Sequence, residues 1–303
     1  HRKVPFPYVP TRKTKMDIFL QQIVNGLVQG SIYALVALGY TMVYGIMGLI
    51  NFAHGEVVMI GTLVTITVAG SLIKAGMPVA LAGLAGLSAS VLVCMALGWG
   101  LERIAYRPLR NAPRLTPLIT AIGMSIVLQN LAMMIWGRNY LTFPALLPKI
   151  NFEVAGAHFT FIQVVIVLVS AATMGGLLAL IYRTKLGMAM RATAQNPAVA
   201  SLMGVNINRV IAAAFVIGSA LGALAGVMVG TYYEIAHYQM GFMLGLKAFT
   251  AAVLGGIGNL AGAMLGGLLL GLIEALGAGY IGDLTGGFLG SHYQDIFAFI
   301  VLI

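Results

Sequence analysis

Six polar side chains stand in or beside long apolar stretches: Asn51, His54, Glu56, Gln129, Lys247 and Glu274. Such groups are costly at bilayer depth and are functional candidates by default. The densest cluster is Asn51-Phe52-Ala53-His54-Gly55-Glu56. Histidine titrates near neutrality and here stands two residues from a carboxylate, so one reading is a proton relay. The competing reading is a helix start facing the cytoplasm, with Asn51 capping a helix that begins near Phe52 and Glu56 meeting the positive end of its dipole. Glu274, on a glycine-rich span, either pairs with a cation on another helix or lines an aqueous cavity.

Catalytic patterns are missing. The five histidines are scattered, the single Cys94 lies inside an apolar span, and no His or Cys pair has metal-ligand spacing. No lysine follows a glycine anywhere, so the phosphate-cradling GxxxxGK[ST] loop is absent. No cofactor is expected in this chain, and if ATP drives its work, magnesium-bound ATP sits on another subunit.

The elements that must position these residues are apolar. Of 303 residues, 60% are hydrophobic and 8% charged, where soluble chains carry about 25% charged residues. Several stretches reach the roughly 20 residues a membrane-spanning helix needs, and they are too long and unalternating for barrel strands. The expected class is an all-α polytopic membrane protein. Apolar segments read as Ile18 to Leu38, Tyr40 to Ile50, Phe52 to Ile73, Met77 to Leu101, Pro117 to Trp136, Phe161 to Tyr182, Val210 to Tyr232, Gly245 to Leu254, Leu260 to Tyr280, and Tyr293 onward.

The net charge of +9 sits in short loops without interleaved aromatics, which marks topology rather than nucleic-acid binding. Arg103, Arg107, Arg110 and Arg114 in one loop, and Arg183, Lys185, Arg191 and Arg209 in another, mark both as cytoplasmic. A basic N-terminus on the same side requires Tyr40 to Ile50 to be a crossing of its own, short or broken. The expected count is about ten crossings with both termini cytoplasmic. Gly245 to Leu254 is likewise short and runs into Gly255-Gly256-Ile257-Gly258-Asn259. Paired interrupted helices point to a transporter, with the path near them; the alternative is ordinary kinked spans ended by glycine turns. Gly222 with Gly226 and Gly262 with Gly266 read as close-packing devices. Residues 1-16 read as a basic tail or a non-native extension, and residues 17-303 as one membrane domain.

The connection 183-209 is long for a loop. Leu186 to Ala194 favours helix, Asn196-Pro197 breaks it, and Ala198 to Met203 forms a second turn or two. Such a helix either seats in a groove on a cytosolic partner or rests on lipid headgroups.

Three blocks, NGLVQGSIYALVALGYTMVYGIMGLINFAHGEVVMIG (Asn25 to Gly61), GMAMRATAQNPAVASLMGVNINRV (Gly187 to Val210) and KAFTAAVLGGIGNLAGAMLGGLLLGLIEAL (Lys247 to Leu276), resemble the LivH-type permease of bacterial branched-chain amino acid ABC importers. The resemblance covers nearly the whole chain after Met16. It implies a multi-pass protein of the bacterial inner membrane, a second, LivM-like permease, two cytosolic ATPase subunits, and a periplasmic binding protein that delivers leucine, isoleucine or valine. It carries the ATPase-coupling role onto Gly187, Arg191, Ala192, Ala200, Gly204 and Val205. Asn51, His54, Glu56, Gly255, Gly256, Asn259 and Glu274 are the translocation-path candidates, and small residues between Gly255 and Gly262 would make room for a hydrated zwitterion. In the outward loops 137-160 and 233-241, Tyr140, Phe143, Tyr233, Glu234, His237 and Tyr238 are expected to meet the binding protein.

The chain departs from the pattern in places. Asn196 replaces the acidic residue that many members carry before Pro197, and the glutamate of the EAA loop of other ABC importers is absent. The chain also ends inside its last span, where the family continues to a cytoplasmic tail. The other readings are a urea or short-amide ABC permease, an ATP-independent channel or proton-coupled carrier, and a membrane anchor with no path.

Overall fold

A computed structural model describes residues 15-110, 112-113, 115-154, 157-284 and 294-301. Most of the expected N-terminal tail, and Arg114 of the first basic loop, lie outside the described residues.

Eleven α-helices follow one another: α1 (Lys15–Met47), α2 (His54–Lys74), α3 (Val79–Gly100), α4 (Leu115–Trp136), α5 (Phe161–Arg183), α6 (Lys185–Gln195), α7 (Pro197–Leu202), α8 (Ile207–Tyr233), α9 (Met240–Leu254), α10 (Leu260–Leu284) and α11 (Gln294–Ile300). Seven of them are long and apolar enough to cross a membrane, and α9 is a shorter apolar helix. After α3 the chain tightens through a π-helical turn, Leu101–Tyr106, and a 3-10 turn, Arg107–Leu109.

Among the described residues, strands occur only as small pieces in the connections. β1 (Leu141–Thr142) pairs antiparallel with β4 (Ile235–Ala236), and β2 (Asn151–Val154) with β3 (Ala157–Thr160).

Burial separates centre from periphery. In α1 78% of the most apolar window is buried, in α8 61% and in α2 56%, against 22% in α3 and α4. α1, α2 and α8 therefore form the centre, while the apolar outer faces of α3, α4 and α5 suit lipid or a partner helix. Small residues set the spacing. Gly26 and Gly30 of α1 lie against the backbone of Leu272 and Leu268 of α10, an i, i+4 contact that any side chain would push apart. Gly226 meets Val58, and Gly266 meets Ala251, so the glycine pairs singled out as packing devices do serve that role.

The expected break after Leu38 is not there. α1 runs uninterrupted through Met47, about 50 Å at 1.5 Å per residue, because no proline interrupts it and an isolated glycine is tolerated inside a helix. Gly39 is small because the His54 imidazole occupies the space a Cβ would need. The helix ends at Gly48 instead, whose φ of +65° stops it and whose N–H donates to the Tyr44 carbonyl. Tyr40 to Ile50 is thus no separate crossing, and the parity argument for a cytoplasmic N-terminus loses its basis. The N-terminal part of α1 lies with the β2–β3 hairpin, where the His158 N–H donates to Gln21 Oε1 at 2.9 Å. The full length of α5 separates that hairpin from the basic α6–α7 connection.

Candidate functional site

The cluster at residues 51-56 is buried rather than facing the cytoplasm: Asn51 is 4% exposed, His54 2% and Glu56 0%. Asn51 caps nothing with its side chain, since its Oδ1 accepts from the Tyr106 hydroxyl at 2.7 Å and the N-cap of α2 is Ala53. His54 and Glu56 are two residues apart on one helix, and such pairs point to different faces. The His54 ring lies edge-on to Tyr40 with centroids 5.0 Å apart, and its Nε2 has no hydrogen-bond partner. Glu56 faces α4, where Oε1 accepts from Ser125 Oγ at 2.9 Å and Gln129 Nε2 at 2.7 Å. Helical geometry thus breaks the His54–Glu56 relay.

A second polar group joins α9, α10 and α11. Lys247 pairs with Glu274 and with Asp295, the latter at 2.6 Å, and its ammonium lies 3.4 Å from the Tyr33 hydroxyl. Lys247 is therefore the cation that Glu274 lacked in the sequence. Lys247 and Asp295 also line an open cavity of about 210 Å³ with Tyr140, Tyr233 and His237.

Gly255, Gly256 and Asn259 form the α9–α10 turn. Gly255 is pressed against Gly262, Gly256 has φ +82°, and Asn259 Oδ1 accepts from the Gly262 N–H at 3.2 Å. They hold two helices together tightly instead of opening space beside a path.

The coupling candidates lie together on one connection. Thr184 caps α6 by accepting from the Gly187 N–H, and a Cβ at Gly187 would stand 2.1 Å from the Ile181 carbonyl oxygen, so only glycine permits this turn. Arg191 is exposed, its guanidinium 5.3 Å from the Tyr182 ring centroid. Asn196 caps α7 by accepting from the Val199 N–H at 3.1 Å, Ala200 is buried, and Gly204 ends the helix at φ +84° before Val205. Leu202 and Met203 beside them are 87% and 80% exposed, an apolar face with no partner among the described residues.

On the opposite face, β1 and β4 gather most of the aromatic residues expected there. Tyr140 stacks on His237 with ring centroids 4.6 Å apart, His237 lies 4.3 Å from Tyr238, Glu234 pairs with Lys149, and Tyr233 is 47% exposed. Phe143 is the exception, at 3% exposure and packed against Gly230. Its ring plugs the helix layer and has no surface left for a partner.

Sequence reading passed over Glu102. It is fully buried at the end of α3, accepts a two-point contact from Arg107 at 2.7 and 3.1 Å, and pairs also with Arg110, which in turn donates to Asn208 at the start of α8. Its neighbours in the sequence are the arginines read as topology markers, and that spacing was the available signal.

Seven helices long and apolar enough to cross a membrane, buried polar side chains among them and a helical connection with an exposed apolar face fit a multi-pass membrane permease. The chain belongs to the family described as branched-chain amino acid transport system / permease component, whose profile matches residues 22–303. It is 49% identical over 291 residues to the high-affinity branched-chain amino acid transport system permease protein BraD of Pseudomonas aeruginosa, covering 94% of this chain and 92% of the relative. The corresponding LivH proteins of Salmonella typhimurium and Escherichia coli K12 are each 46% identical at the same coverages.

Proposed function

We propose that this chain is the permease subunit of an ATP-binding-cassette importer that passes aliphatic, branched-chain amino acids across the bacterial inner membrane. The carrying observation is the α6–α7 connection. A glycine-locked turn, two capped helices and the exposed Leu202 and Met203 form a preshaped apolar knob on an otherwise membrane-embedded chain, and family membership supplies the class of partner. ATP and its magnesium belong to two cytosolic ATPase subunits that seat on this connection at Arg191, Ala192, Gly204 and Val205, whose shape the buried Gly187 and Ala200 hold. A related second permease completes the path, and a periplasmic binding protein docks over the β1–β4 face with Tyr140, Tyr233 and His237.

Sidedness follows from the basic loops. With 183-209 cytoplasmic, α1 starts on the outside, eight crossings bring the chain to the end of α10, and α11 begins a further one. This replaces the count of ten.

Reconstitution with and without the ATPase subunits tests the reading. We expect leucine uptake only from the complete complex with ATP, and uptake by this chain alone would overturn it in favour of an autonomous carrier. Ala192→Trp, which adds bulk to the docking helix, is expected to leave assembly intact and lower uptake per ATP hydrolysed by about tenfold, the scale of a lost interface contact.

A further inference from the structure

Between α4 and the first turns of α9 lies an open groove lined by residues of both helices. It measures about 680 Å³, with Ile126 and Phe242 about half exposed at its mouth, within the range of roughly 300–1,000 Å³ typical of small-molecule sites. Phe52, Ile126, Phe242 and Leu246 make its apolar wall, and Ser125, Gln129 and Gln239 its polar one. Ser125 and Gln129 are the two residues that hold Glu56 Oε1. The other carboxylate oxygen, Oε2, is buried with no hydrogen-bond partner. It lies against Gly241, where a Cβ would be only 2.8 Å away, in the first turn of α9.

That turn matters because α9 is a short helix whose N-cap, Gln239, makes no side-chain cap bond. The Met240 N–H already donates to the His237 carbonyl at 3.1 Å; the N–H groups that follow and the positive end of the dipole favour an anion, and interrupted transmembrane helices offer this end to carboxylates. A buried acceptor that lacks a donor and a helix end suited to an anion are thus adjacent, joined through Gly241. An α-amino acid has the complementary arrangement: ammonium and carboxylate on one carbon, with the aliphatic side chain beyond.

We propose that this cavity is a substrate subsite for zwitterionic aliphatic amino acids, with Glu56 Oε2 taking the ammonium, the α9 N-terminus and Gln239 taking the carboxylate, and Phe52, Ile126, Phe242 and Leu246 covering the side chain. The inference rests on the importer reading and sharpens it. Urea has neither an ammonium to pair with the Glu56 carboxylate nor an aliphatic side chain for the apolar wall, so the site favours amino acids over amides. One carboxylate with two neutral partners is also a poor cation cage, and among the described residues no cluster of three metal-ligating side chains exists.

The test uses the full complex of both permeases and the ATPase subunits in nanodiscs, without binding protein. Ile126→Cys supplies a maleimide target in the cavity, while the native Cys94 is buried. We expect millimolar leucine to slow labelling by about tenfold, the scale of a charge-assisted hydrogen bond. 4-Methylpentanoate, which lacks the ammonium, and urea should give no protection. Adding Glu56→Gln should abolish protection by leucine. Equal protection in Glu56→Gln, or by 4-methylpentanoate, overturns the proposal. So does absence of leucine protection in a complex that still imports leucine when the binding protein and ATP are supplied; loss of that import in the unmutated complex would instead count against the importer reading itself. Should Glu56→Gln fail to assemble, Phe242→Trp decides. It keeps the carboxylate and its bonds and narrows the cavity from the other wall, and unchanged leucine protection and uptake in that variant overturn the proposal.

Discussion

Lys247 and Glu274 show what a buried charge requires of its neighbours. Their side chains are 10% and 0% exposed, and Asp295, at 40%, reaches the same ammonium from α11. Removing one member of a buried pair leaves the other uncompensated, which costs about 3–5 kcal/mol, whereas replacing both with apolar side chains is often neutral. Lys247→Met is therefore expected to lower sharply the temperature at which the solubilised complex loses its single elution peak. Lys247→Met with Glu274→Met should recover most of that loss, because the half-exposed Asp295 can turn to water. A double variant no better than the single would show that Glu274 does not depend on Lys247. Both residues stood out in the sequence as misplaced charges, but their 27-residue separation gave no sign that they meet. Glu102 was hidden for the opposite reason, since beside four arginines a lone glutamate reads as loop polarity.

At the scale of elements, hydropathy located the helices well because span length is fixed by the bilayer. α2, α3, α4, α5, α8 and α10 begin and end within a few residues of the apolar segments. Charge parity misled at α1, where it required a separate crossing from Tyr40 to Ile50 and the structure instead continues the helix and uses Gly39 to admit His54. Nothing local to residues 38-40 records a ring arriving from another helix. The α6–α7 break, by contrast, was legible, because proline stops α6 and the preceding Asn196 caps α7 by local bonding alone. An aspartate at this position would accept the same Val199 N–H as Asn196 does. Asn196→Asp should keep ATP-driven uptake within about twofold, while Asn196→Ala removes about 1 kcal/mol of cap stabilisation and should reduce it further. Equal uptake by the two variants would mean that α7 needs no cap to dock.

At the scale of the whole molecule, the arrangement is a buried centre of α1, α2 and α8, which holds a few paired polar side chains, inside a shell whose outer faces remain apolar, with the exposed connections gathered at two ends. One end carries the α6–α7 knob, the other the β1–β4 pair and the β2–β3 hairpin. Because the hairpin holds Gln21, the start of α1 is tied to the hairpin end, and an odd number of crossings separates it from the knob. Impermeant maleimide on intact cells reads this directly, the native thiol being silent in its buried site. Met16→Cys and Glu153→Cys, both exposed, should label from outside, and Leu202→Cys only after the membrane is opened. Labelling of Met16→Cys and Leu202→Cys from the same side would require a further crossing between them and would place the start of α1 back among the cytoplasmic loops.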